Sequence, residues 1–92
     1  MIRNFRHKGL ERFFTAGKTS GIQARHGNRI RIILGRLQAA ATPRDMDLPG
    51  LFLHTLKGVD EKRWSVRVNA NWRITFGFDG KDATNVDYED YH

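Results

Sequence analysis

Residues 64–76 read WSVRVNANWRITF. Trp64, Val66 and Val68 alternate with Ser65, Arg67 and Asn69. Trp72, Ile74 and Phe76 alternate with Arg73, Thr75 and Gly77, and Phe78 extends the apolar set. A period of two with one apolar side marks a strand that is half buried. The segment NAN between the two runs is then a hairpin loop. Both apolar sets sit on even numbers, and directly paired residues must share a face of the sheet. Without a bulge, paired positions therefore sum to an even number. That requires an odd-length loop centred near Ala70, and it sets Arg67 opposite Arg73 on the polar face.

The flanking segments extend the sheet. FDGKD (78–82) carries an Asp-Gly hairpin signal, and ATNVDY (83–88) is the last strand, with Val86 and Tyr88 facing inward. LFLHTLKG (51–58) is a candidate strand on the other side. TPRDMDLPG (42–50) is a connector, punctuated by Pro43, Pro49 and Gly50. The first half is helical. ARHGNRIRIILGRLQAAA (24–41) places Ile30, Ile33, Leu34, Leu37, Ala40 and Ala41 on one face at the helical period. KGLERFFTAG (8–17) is a shorter helix with Leu10, Phe13 and Phe14 together and Gly17 as its stop. MIRNF opens the chain as a short strand, with Ile2 and Phe5 toward the core. The expected fold is α+β: an N-terminal strand and two helices packed on one face of a small, mostly antiparallel twisted sheet. The uncovered face would carry Arg67, Arg73 and Thr75, and an antiparallel sheet can leave such a face wet.

Ninety-two residues, 39% of them hydrophobic, suit a single domain spanning 1–92. The absence of cysteine excludes disulfides and thiolate metal sites. No apolar run follows the basic N-terminus, so neither a signal peptide nor a membrane span is expected, and the cytoplasm is the expected compartment. Charge is uneven. Residues 1–36 hold nine Lys/Arg and one acid, a net +8; residues 37–92 hold seven and nine, a net −2. Such a basic half points to a polyanionic partner, most simply nucleic acid. Arg25, Arg29 and Arg36, four and seven residues apart, would stack in one stripe along the longer helix. That stripe is either a solvated rim whose stems shield the core or a rail for phosphates.

Cutting RNA without a metal requires a group to take the proton of the attacking 2′-hydroxyl, a group to protonate the leaving 5′-oxygen, and fixed cations at the phosphate. The sequence supplies His54, Arg73, Asp90, Tyr91 and His92. Histidine titrates near neutrality, arginine can grip two phosphate oxygens, and tyrosine can donate a proton or stack on a base. A site of oxygen and nitrogen metal ligands drawn from His54, Asp87, Asp90 and His92 lacks compact ligand spacing. Neither metal nor cofactor is expected. His7 and His26 receive no role.

The segments LHTLKG, WSVRVNANWRITF and the terminal DYH, with the opening IRNFRHKGLERFF and GKTSGI, resemble the HigB toxins of the RelE superfamily over nearly the whole chain. The resemblance implies a compact microbial-ribonuclease-like (RelE-like) fold. It implies a ribosome-dependent mRNA interferase that cleaves translated mRNA in the A site by metal-independent 2′-hydroxyl attack. It places catalytic roles on His54, Asp90, Tyr91 and His92, a phosphate contact on Arg73, and RNA contacts on Lys57 and Asn71. Arg67, beside Arg73, joins the RNA-contact set. The implied partners are a helix-turn-helix antitoxin of the HigA type, the ribosome with its rRNA and A-site mRNA, and operator DNA only through the antitoxin. The rival class is a non-catalytic basic nucleic-acid-binding module, a repressor or ribosome-associated protein. That class needs the basic helix but not His54, Arg73 and DYH.

Overall fold

The computed structural model describes residues 1–58 and 62–91. Two helices, α1 (Lys8–Ala16) and α2 (Gly27–Ala39), precede four strands: β1 (His54–Leu56), β2 (Arg63–Arg67), β3 (Trp72–Asp79) and β4 (Asp82–Asp90). The strands form one antiparallel sheet in the order β1-β2-β3-β4. The α+β architecture expected from the sequence is the one observed.

The β2–β3 register is the even-sum one: Trp64 pairs with Phe76, Val66 with Ile74 and Arg67 with Arg73, so the loop is centred on Ala70. Two arginines face each other there, an arrangement that repels unless the charges diverge. They do. The Arg67 guanidinium lies over the Phe52 ring, 4.3 Å from its centroid. Arg73 turns toward the loop, its Nη1 donating to the carbonyls of Asn69 (2.7 Å) and Ala70 (3.2 Å).

The β3–β4 pairing contains an irregularity that the alternation did not foretell. Ile74 pairs with Tyr88 and Thr75 with Asp87, but Gly77 pairs with Thr84 and Phe78 with Ala83. One extra residue of β4 is accommodated between these pairs, and Asn85 there has φ 48°. Asn enters the left-handed region more readily than most residues. The bulge shifts side-chain parity, so odd-numbered Ala83 and even-numbered Val86 and Tyr88 are all buried against the helices.

The same bulge explains why the expected N-terminal strand is only two isolated parallel bridges, Ile2 with Ala83 and Phe5 with Val86. Between them, Asn4 Nδ2 donates to Asn85 Oδ1, and the Asn85 N–H donates to Asn4 Oδ1. Side chains thus replace the missing ladder rungs. At the β3–β4 turn, Gly80 takes φ 62°, and Arg3 bridges Asp79 and Asp82 on either side of it.

The core lies between the helices and one sheet face. Leu10, Phe13, Ile30, Ile33, Leu34 and Leu37 meet Val66, Val68, Ile74, Phe76, Ala83 and Val86. Two expected core positions are exposed. Phe14 is partly open and rests against Phe5. Ala41 lies past the end of α2, where Ala40 has already turned extended. His7 caps α1 by accepting the Leu10 N–H at Nδ1 (2.9 Å), and Gly17 closes the helix at φ 72°.

The loop before α2 crosses α1 backbone to backbone: a Cβ on Gly9 would stand 2.5 Å from the Gly21 carbonyl oxygen. Gly35, on the exposed side of α2, has nothing within 4 Å of its Cβ position. Gly9→Ala is therefore expected to lower stability by roughly 1–3 kcal/mol through overpacking. Gly35→Ala should raise it by up to about 1 kcal/mol through helix propensity. Denaturant unfolding of the two variants checks the pair.

Candidate active site

Strand pairing lays the polar residues of the uncovered face in rows. His54, Ser65, Thr75 and Asp87 occupy one row; Arg67, Arg73 and Glu89 occupy the next. The face is drier than expected. Ser65 and Thr75 are buried, and so is Arg63, whose guanidinium crosses the rows. Arg63 Nη2 donates to Thr75 Oγ1 (3.0 Å) and to the Asn85 carbonyl (2.9 Å). Thr75 in turn donates to Glu89 Oε2 at 2.5 Å. The expectation that Thr75 is wet is thus corrected: a neighbouring arginine covers it and satisfies its hydroxyl, so its burial does not strand a polar group.

Beside this floor opens a cavity of about 450 Å³, lined in part by His54, Lys57, Arg67, Arg73 and Tyr91. Five candidate residues, spread over 38 positions of sequence, therefore share one hollow. His54 is exposed and its Nδ1 lies 2.8 Å from the Phe52 carbonyl oxygen. A carbonyl only accepts, so Nδ1 carries the proton, and Nε2 is the nitrogen that can exchange one with a ligand. Tyr91 follows β4, its N–H donating to the Asn71 carbonyl (2.6 Å). Its ring lies 5.9 Å from the Arg73 guanidinium carbon. Loss of hydration and the nearby Glu89 carboxylate raise the Tyr91 pKa above the usual phenol value, against the opposing pull of Arg63 and Arg73. Tyr91 is consequently a proton donor at neutral pH.

Other candidates fall elsewhere. Asp90 pairs with Trp72 and so belongs to the helix-side face, near Tyr88. Strand parity separates it from Asp87, which disfavours a single ion held by both. Asn71 is exposed in the β2–β3 loop, where its carbonyl accepts the Tyr91 N–H. His92 lies outside the described residues.

The arginine stripe is broken. Arg25 belongs to a 3₁₀ turn (Ala24–His26) that precedes α2, so the helical spacing does not extend to it. Arg29 is a clasp, its Nη2 donating to the carbonyls of Gly50 (2.5 Å) and Arg67 (3.1 Å). Arg36 is exposed on α2.

Phe52 was missed by the sequence reading. It is exposed, holds φ 51° and lines the cavity. The alternation that buries Leu51 and exposes His54 would have placed Phe52 on the outer face, had it been followed back from His54. Glu89 was missed as well; it accepts the Thr75 hydroxyl, and its carboxylate opposes ionisation of Tyr91.

A family model described as RelE-like toxin of type II toxin-antitoxin system HigB matches residues 3–92. The chain belongs to this HigB-like toxin family. Endoribonuclease HigB of Proteus vulgaris is 45% identical over 92 residues, covering the whole of both chains. Membership of a type II toxin–antitoxin family implies an antitoxin partner. Among the described residues of this HigB-like toxin, no helix is long and apolar enough to cross a membrane.

The raised Tyr91 pKa gives a direct check. The phenolate absorbance difference between the parent and Tyr91→Phe should titrate with a midpoint above 10.0. Glu89→Gln should move that midpoint down, because it removes a charge that opposes ionisation.

Proposed function

We propose that the chain is a ribosome-dependent endoribonuclease of 92 residues acting as one domain, which cleaves A-site mRNA during translation in the cytoplasm. The observation that carries this reading is the gathering of His54, Lys57, Arg67, Arg73 and Tyr91 around one cavity. The name of the Proteus vulgaris relative, an endoribonuclease, supports it.

In the proposed reaction the 2′-hydroxyl attacks the adjacent phosphorus, the P–O5′ bond breaks, and the products are a 2′,3′-cyclic phosphate and a 5′-hydroxyl. One proton leaves the nucleophile and one reaches the 5′-oxygen. His54, Tyr91 and His92 form the pool from which these transfers are made; Asp90, on the helix-side face, is left out of it. His54 Nε2 suits the accepting step and the Tyr91 phenol the donating one. Arg73, with Lys57 and Arg67, meets the charge that grows on the phosphate oxygens. The chemistry asks for neither metal nor cofactor. Asn71, exposed in the β2–β3 loop, contacts the RNA. Arg25 and Arg36 contribute to docking on rRNA, with Arg29 in the lesser role its two carbonyl contacts leave it. A helix-turn-helix antitoxin of the HigA type restrains the toxin and links it to operator DNA.

Single-turnover cleavage of mRNA on programmed ribosomes tests the reading. His54→Gln, Tyr91→Phe and removal of His92 should each slow cleavage by ~10²–10⁴-fold where the group transfers a proton, with little loss of ribosome binding. Arg73→Lys should also fall, since a point charge does not replace a planar fork. Fragments ending in 5′-phosphate, or a folded parent chain that binds ribosomes without cutting, would overturn the proposal. Replacing Arg25 and Arg36 together should instead weaken ribosome association and flatten its salt dependence. Cleavage at saturating toxin should survive that change.

A further inference from the structure

His26 took no part in the site, yet it is buried, 5% exposed, between the 3₁₀ turn that carries it and the β2–β3 loop. Its Nδ1 is 2.6 Å from the Tyr88 hydroxyl, and its Nε2 is 2.9 Å from Asn69 Nδ2. The orientation of the Asn69 amide is set from its other end. Asn69 Oδ1 accepts the backbone N–H groups of Asn71 (2.9 Å) and Trp72 (2.8 Å). Only oxygen can accept two N–H groups, so Nδ2 must face the imidazole. Nδ2 is a donor, and Nε2 is therefore an acceptor without a proton. The ring is neutral, with its proton on Nδ1 donated to Tyr88.

The loop closed in this way carries two members of the cavity. The Asn69 and Ala70 carbonyls hold the Arg73 guanidinium, and the Asn71 carbonyl holds the Tyr91 N–H. We propose that His26 and Asn69 form a positioning pair, in which the neutral imidazole locks the Asn69 amide and so fixes the loop that aims Arg73 and Tyr91 into the cavity. The inference rests on the reading of that cavity as the site of cleavage.

The pair makes the loop sensitive to acid. A second proton on His26 would set Nε2–H against the Asn69 NH₂, donor against donor. Relief requires the amide to flip, which turns the same NH₂ toward the N–H groups of Asn71 and Trp72 and opens the loop. Burial, and after it the charge of Arg25 on the same turn, hold the His26 pKa below the usual imidazole value. The other groups around it are Tyr88 on β4, Asp90 one turn of the pleat further along and the His7 ring edge-on to Tyr88. Arg25 opposes the second proton, while Asp90 acts on the Tyr88 hydroxyl rather than on the ring.

Three measurements test the proposal. In the unmodified chain, long-range ¹⁵N–¹H correlations should assign the proton of His26 to Nδ1 at neutral pH. The amide signals of Asn71 and Trp72 should shift with the His26 titration midpoint. A proton on Nε2, or loop amides indifferent to that titration, overturns the pair. Asn69→Ala should lower the single-turnover rate on the order of 10²-fold, the scale of a misplaced reacting group, with ribosome binding unchanged. In an Arg73→Ala background the same change should lose most of its effect.

Asn69→Asp keeps an acceptor for both loop N–H groups and offers an anion to the imidazole. It should keep most of the rate and raise the pH at which His26 titrates. Parent-rate cleavage by a folded Asn69→Ala protein, when Arg73→Ala is impaired, sinks the inference alone. Parent-rate cleavage by Arg73→Ala would instead sink the reading of the cavity beneath it.

Discussion

The pairing of Arg67 with Arg73 is the constraint on which the rest of this structure turns. It fixes the register of the hairpin, and the register decides which side chains enter the core. A slip of one residue would carry Val66, Ile74 and Phe76 into solvent and bury the charged set. The even-sum register avoids that at the expense of bringing two like charges together. The structure resolves the conflict by giving each guanidinium a different exit, Arg67 onto the Phe52 ring and Arg73 onto the loop carbonyls. Those exits are two walls of the cavity. The solution to a folding problem and the construction of the candidate site are thus one event.

What sequence alone made legible was whatever depends on period and parity. The hairpin and its centre at Ala70, the apolar stripe of α2, the Gly17 stop and the inward Val86 and Tyr88 follow from spacing within one segment. The bulge at Asn85 was illegible, because its cause is a mismatch between two strands that neither strand records. The N-terminal strand was overcalled for the same reason: Ile2 and Phe5 do contact β4, but the bulge breaks the ladder between them. Arg29 looked like a surface charge at helical spacing, and only the return of the chain through Gly50 and Arg67 supplied the carbonyls it binds.

The candidate site shows the same division. His54, Arg67, Arg73 and Tyr91 were identifiable as residue types suited to phosphate chemistry, and Lys57 through the family resemblance. Strand pairing brings His54, Arg67 and Arg73 to one face, while Lys57 and Tyr91 reach the cavity from just beyond strand ends. Asp90 was grouped with Tyr91 because they are neighbours in sequence, yet neighbours on a strand face opposite ways. The dry floor of Arg63, Thr75 and Glu89 was not legible. It depends on an arginine reaching over three strands, a contact with no sequence period. His26 escaped notice because its partners, Asn69 and Tyr88, are 43 and 62 residues away.

The two bridges that tie residues 1–6 to β4 have a kinetic consequence. They join positions more than 80 residues apart, among the largest loops a chain of this length can close, and non-local closures of this kind come with a high entropic barrier. β4 itself pairs with Trp72 and Ile74 and leads directly into Tyr91. A polypeptide still being synthesised, with residues 82–91 not yet added, therefore lacks a finished core and lacks one wall of the cavity. The cavity is therefore enclosed only after β4 has been made and has docked, and no nascent segment that stops short of Tyr91 carries it whole.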